Sequence, residues 1–444
     1  MSKRIYLTGL ALFSASMLAL SGCEQDSATQ ELTNDTEEVQ EEEAEETEET
    51  AEQKDPGANE DQAETGSDET NPEDEEEQAE VEPEEEEETV SIFGNQKNNV
   101  YISENGVNVR ADSSEESASL GRLIKGNEVT VIDEVAEDET TWYQISHHNT
   151  NMNEGWVSSD YTANDMNELH SSTTFDDEEL NEFFTSPTLF EENRVVAYYG
   201  HPNSEVMGIV GRHPVGELID LLDETTETYD EADEDMGAVP AIYLVYGTVQ
   251  PGGEIARMNH DLVMSYIEAA YERGVLVYID HQMGRYHPTY AIQEIQSFLR
   301  YPNVHLALDP EWRTERPMQE VGHITGQEIN DVQGIMQDYL DSNDIPGKRQ
   351  FVFHQFVEKM IHDVEAVSTD YESVIVVHNT SGWGSPDGKR ATHERVTEDS
   401  PIPYKGFKLW YHYSDDPGVH YDNPLMTPEE VLNLDPEPNL VIYQ

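Results

Sequence analysis

Three carboxylates in this chain stand at the ends of apolar runs. Asp280 follows Val275–Ile279, and Asp309 and Glu311 close the segment VHLALDPEW at Val304–Trp312. Pro310 between them cannot donate to a β-ladder, so the run stops where the charges begin. Carboxylates in such a place suit glycoside hydrolysis, which needs one acid protonated and another ionised around a glycosidic bond. In that chemistry Glu311 is the candidate acid, and Asp280 or Asp309 the base or nucleophile. Trp312 and Trp383 offer ring faces for a sugar. His354, Gln355, His412 and His281 supply polar contacts at the ends of other apolar runs.

Two other readings use the same residues. In a metal-assisted hydrolase, Asp280, Asp309, His354 and His412 would surround a divalent ion that lowers the pKa of bound water. No HxH or HExxH spacing supports that set, and no metal or cofactor is expected. In a binding or scaffold protein, the acids would be tied up in ion pairs with Arg285, Arg313 or Arg316. His281, His305 and His378 equally suit hydrogen-bonded structural roles.

The elements that must position these groups recur at regular intervals. Eight strand candidates occupy residues 170–444: Arg194–Tyr199, Ala241–Tyr246, Val275–Ile279, the VHLALDPEW stretch, Gln350–Phe353, Ser373–Val377, Phe407–Tyr411 and Leu440–Tyr443. Helical patterns separate most of them, at Glu205–Leu222, Ile255–Arg273, Tyr290–Leu299, Thr325–Leu340, Val357–Ala366 and Thr427–Leu434. Thr325 and Glu328 form a capping box. The strand count and the length predict an α/β fold, a (β/α)8 TIM-type barrel whose strand ends form the functional face. An open doubly wound sheet would show a Gly-rich phosphate loop, and no GxGxxG occurs. A lead-in helix at Asp176–Phe184 is expected to cover the gap after the eighth strand.

Residues 98–163 show a different pattern, short β-runs with Gly and Asn turns, which indicates a small all-β barrel. The segments GVNVRADSS, the turn at Gly126, WYQI and EGWVSSDY resemble the bacterial SH3 family. The resemblance implies an SH3-like barrel, often a targeting module for cell-wall peptides or glycans. Trp142 and Trp156 are expected in its core, and Tyr161 suits core packing and a surface contact equally. The His147–Glu154 loop departs from the tighter versions of the pattern. Through VVAYYGHP, NVHLALDPEW, VFHQF and SGWG the larger domain looks like uncharacterised secreted or lipoprotein families of bacteria, a resemblance that implies no known activity. Many barrel glycosidases carry a glutamate after strand four and another after strand seven; here the seventh run ends Tyr411-His412-Tyr413.

Lys3 and Arg4 precede an apolar core, Ile5–Leu20, that ends in Leu20-Ser21-Gly22-Cys23. Residues 1–23 therefore resemble a lipoprotein signal peptide with its lipobox. This implies cleavage before Cys23, a diacylglycerol on its sulfur, and folded domains held outside the membrane in the cell envelope. Cys23 is the only cysteine, so no disulfide framework is expected. Residues 24–92 read as a disordered tether, with 32 acidic residues and one lysine between Glu24 and Val90. The whole chain carries a formal −72. Acidity on this scale fits a saline exterior, where charge is screened, and disfavours nucleic acid as a partner.

Overall fold

The computed structural model describes residues 98–137, 140–169, 175–233, 235–415 and 418–444. The expected signal segment with Cys23 and the acidic tether lie outside the described residues. Among those described, no helix is long and apolar enough to cross a membrane.

Residues 99–163 form a seven-stranded antiparallel sheet with its own small core, in which Ile102, Val109, Ile145 and Val157 are fully buried. Alternation sets this core: the strand Val107–Arg110 buries Val107 and Val109 and leaves Asn108 and Arg110 partly in water. Trp142 is buried as expected, Trp156 only half so, and Tyr161 is exposed.

The larger domain is a closed barrel of eight parallel strands. They are β1 (Asn193–Gly200), β2 (Gly237–Val249), β3 (Leu276–Gln282), β4 (Val304–Asp309), β5 (Arg349–Gln355), β6 (Val374–Thr380), β7 (Tyr404–Leu409) and β8 (Leu440–Tyr443). Each pairs with the next, and β8 closes on β1 with Leu440 opposite Val195. The strands are buried on both faces, which is why they read as nearly continuous Val, Ile, Leu and Tyr. Aromatic rings fill the interior in a column. Phe190 meets His305 (5.2 Å), His305 meets Tyr278 (5.1 Å), Tyr278 stacks on Tyr243 (5.2 Å), and Tyr243 meets Tyr199 (5.2 Å) at the C-terminal mouth.

Several connections differ from expectation. Ile255–Arg257 is not the start of a helix but a strand antiparallel to the overhanging end of β2; the helix runs His260–Tyr271, capped by Asn259. Glu205–Leu222 divides into two 3-10 turns and a helix at Val215–Ala232, with Pro214 as its N-cap. Val357–Ala366 holds two 3-10 turns and a two-residue strand instead of a helix. A helix at Pro386–Thr397, between β6 and β7, was not expected. The lead-in helix Glu178–Phe184 packs on Tyr271, beside the helix between β2 and β3, and does not cover β8.

The two domains meet over a shared apolar core and a buried ion pair. Tyr101, Ala163, Met166 and Leu169 belong to the barrel's core cluster. Arg300, buried on the barrel side, pairs with Glu128 of the small domain at 2.6 Å. Asn343 accepts a second bond from Arg300 (2.8 Å), and the Tyr339 hydroxyl donates to Glu128.

Candidate active site

In parallel strands successive side chains alternate between the barrel interior and its outer wall. At the end of β3 this turns Asp280 inward and His281 outward. Asp280 is fully buried and accepts a hydrogen bond from the Tyr199 hydroxyl (3.2 Å). His281 bonds the Glu294 carboxylate (2.9 Å) and the Gln282 carbonyl (2.8 Å). Glu294 is gripped on its other side by Arg257 (2.6 Å). His281 is therefore a wall residue, and its expected substrate contact is not borne by the geometry. Its ring sits against Gly247, where a β-carbon would come within 2.9 Å of it.

At the end of β4, Asp309 is buried and its carboxylate accepts the backbone N–H of Glu311 (3.3 Å), which starts the tight turn Pro310–Trp312. Glu311 and Trp312 are half-buried in that turn. Arg313 and Arg316 pair with Glu328 (3.0 Å) and Glu320 rather than with these acids.

From β5, His354 reaches the same centre. Its Nε2 donates to the Tyr243 hydroxyl (2.9 Å) and lies 3.7 Å from Asp280; its Nδ1 accepts from the Asn379 side-chain amide on β6 (2.9 Å). Gly406 on β7 makes room for Asn379, because a β-carbon there would overlap its side chain. Gln355 points away. It accepts from His378 (2.6 Å) and donates to the carbonyls of Val357 and Glu358, so it shapes the loop and does not line the mouth.

β7 is where the structure departs most from the sequence reading. The strand is Tyr404–Leu409, two residues earlier than expected at its C-terminal end. His412 lies beyond it, exposed, with its ring 4.2 Å from that of Tyr421. The residue that β7 delivers to the mouth is Lys408. Its ammonium rests 3.4 Å over the Tyr199 ring and 4.7 Å from Trp410. A lysine inside the apolar run Phe407-Lys408-Leu409 was the available signal. Trp383, on the loop after β6, is exposed and lies edge-on to Trp410 (5.8 Å).

The electrostatics of the cluster follow from its imbalance. Burial raises the pKa of Asp280, Asp309 and Glu311. The charge on Asp309 pushes Asp280 and Glu311 up further, while Lys408 pulls all three down. Burial in turn lowers Lys408, against the pull of the acids. His354 is held neutral by burial and by Lys408. Asp309 is raised by burial as well, while Lys408 and the Glu311 N–H both favour its ionised form. Burial and like charge thus favour the protonated form at Asp280 and Glu311, while Lys408 and the N–H group favour ionised Asp309. Among the described residues, no group of three or more His, Cys, Asp or Glu side chains is placed to hold a metal ion.

The model of the bacterial SH3 domain family matches residues 105–163. No curated protein matches the chain in sequence. Solved structures similar to this chain include an oxaloacetate acetylhydrolase in complex with oxalate, at 14% identity and a TM-score of 0.36, covering 60% of this chain and 80% of the other. A GH5_18 protein from Streptomyces cattleya in complex with GlcNAc is 12% identical, with a TM-score of 0.31, covering 57% and 70%. A GH18 chitinase of Flavobacterium johnsoniae is 10% identical, with a TM-score of 0.32, covering 56% and 86%. Likeness at this level says nothing of activity. The chain thus holds a bacterial SH3 domain at residues 105–163, followed by a closed eight-stranded parallel barrel.

Proposed function

We propose that this chain is a cell-envelope protein whose SH3 domain seats it on wall peptide or glycan and whose barrel hydrolyses a wall or extracellular glycan. The observation that carries the reading is the mouth cluster of Asp280, Asp309, Glu311 and Lys408, two buried acids and a half-buried one that share the field of one buried amine. Glu311, on a half-buried turn at the rim, is the general acid that protonates the leaving oxygen. Asp309 is the base or nucleophile. Asp280, enclosed and bonded by Tyr199, tunes its neighbours and does not itself meet the sugar. Trp312, half-buried on the same turn, borders the substrate, and His354 is enclosed with Asp280. The segment ending at Cys23 supports a lipid anchor on the outer side of a membrane, with residues 24–92 as the spacer.

The test is release of reducing ends from purified sacculi and from neutral polysaccharides in molar salt. Wild-type protein should release product, and Glu311→Gln and Asp309→Asn should not. Equal release by all three would remove the glycosidase reading. A second reading, a barrel that binds glycan without turnover, is favoured by the complete burial of Asp280. It predicts wild-type binding with no product.

A further inference from the structure

The loop Ser381-Gly382-Trp383-Gly384 carries an indole that is 45% exposed. The ring is nevertheless fixed. It stacks on His420 at 3.8 Å with 12° between planes, and meets Trp410 edge-on. Beneath it lies a buried brace. Asp422 accepts the N–H groups of Gly384 (2.9 Å) and Trp410 (3.0 Å) and pairs with Lys389 (3.1 Å). Lys389 also donates to the carbonyls of Gly382 and Lys408, both at 2.6 Å. The Trp410 indole N–H closes the frame on the Ser381 carbonyl (2.9 Å). Three segments are thereby locked together: the loop after β6, the end of β7 and the stretch around His420.

Burying an ion pair carries a desolvation cost, and a tryptophan left in water forgoes the gain of burial. The fold accepts both in order to hold one aromatic face still at the barrel mouth. The platform adjoins the carboxylates through Trp410, whose ring lies 4.7 Å from the Lys408 ammonium.

We infer that Trp383 and His420 form a glycan subsite beside the carboxylates, one that takes the C–H face of an uncharged pyranose. The inference rests on the glycan reading of the mouth. A flat, fixed ring pair offers an apolar surface for the C–H face of a sugar. A chain charge of −72 disfavours uronate polymers and nucleic acid alike. The occupant is therefore a neutral or N-acetylated sugar chain.

The full chain is titrated at one fixed salt concentration with chitohexaose, cellohexaose and, as an anionic control, an oligogalacturonate of the same length. Binding is read by calorimetry for wild type, Trp383→Ala and Trp383→Phe, with thermal melting to confirm the fold. Wild type should bind a neutral hexasaccharide. Trp383→Ala should weaken that binding about tenfold or more, as for an aromatic anchor, and Trp383→Phe should restore most of it. The idea is overturned by wild type that binds neither neutral sugar, by Trp383→Ala that binds within twofold of wild type, or by tighter binding of the oligogalacturonate. Binding that depends on Trp383 without product would sink hydrolysis and leave the subsite standing. Product with binding indifferent to Trp383 would do the reverse.

Discussion

At the domain junction Arg300 meets Glu128 at 2.6 Å, one cation facing one anion, with Asn343 and Tyr339 adding hydrogen bonds. At the barrel mouth three acids face a single lysine, whose ammonium makes no hydrogen bond among the described residues and lies instead over aromatic rings. Both clusters are buried. In the first, partners hold charge in place: the pKa of Arg300 is raised by Glu128, Tyr339 and Tyr101 in spite of burial. In the second, burial and like charge drive acids toward neutrality and the amine toward deprotonation. Balanced burial serves structure. Unbalanced burial keeps protons within reach of a reaction.

Mutations should separate the two. The largest effect is on turnover: Glu311→Gln should lower glycan release by about 10³-fold, within the range for loss of a general acid, with no drop in melting temperature. A matching loss of stability would make Glu311 a structural residue. At the junction the pattern inverts. Arg300→Met strands Glu128 and should remove about 3–5 kcal/mol of stability in denaturant titration. A loss under about 1 kcal/mol would mean that the junction is not a true buried pair.

The pH dependence separates them by sign. Folded Asp280 keeps its proton up to about 8, while an unfolded aspartate loses it near 3.8. The folded state binds more protons in that window, so this group's contribution is complete below pH about 4 and is lost as pH rises toward 8. Glu294, in the wall pair with Arg257 and His281, is held down at about 2. Its contribution is present above about 4.5 and is lost as pH falls toward 2. Asp280→Asn should therefore flatten the decline of melting temperature between pH 5 and 8, whereas Glu294→Gln should lower it throughout that range. Lys408→Met tests the mouth alone. Without its pull the three acids ionise at higher pH, and the acidic limb of the pH–rate profile should move upward. The smallest effect is expected at Lys125–Asp261, a 2.6 Å pair across the junction whose aspartate is largely exposed. Asp261→Asn should change stability by less than about 1 kcal/mol.

Eight strands are legible because each is a short apolar run, and the run Leu440–Tyr443 coincides with the observed strand. The helix Pro386–Thr397 was not, because its buried face is built from Lys389, His393 and Thr397 as well as Val396. Polar groups that find partners in the fold look like solvent-facing ones in a sequence. Asp280, Asp309 and His354 were correctly placed at strand ends, and the structure gathers them. His281 was readable as a wall residue from alternation alone, once Asp280 was turned inward. Lys408 escaped because Trp410 and Tyr411 extend the apolar run past the true end of β7 and shift attention to His412. Tyr199 and Tyr243 escaped because a tyrosine within a strand looks like packing until its hydroxyl is seen to point at an acid or a histidine.

The junction also fixes geometry. Because Tyr101, Met166 and Leu169 share the barrel's core, the SH3 domain is not a grapple on a flexible line. Two modules on a long linker gain from each other through local concentration and tolerate any spacing between their targets. A rigid pair behaves as a caliper. On the proposed function, a small domain seated on the wall would hold the mouth at one distance and one bearing, and the protein itself would then measure the position of a cut along a polymer.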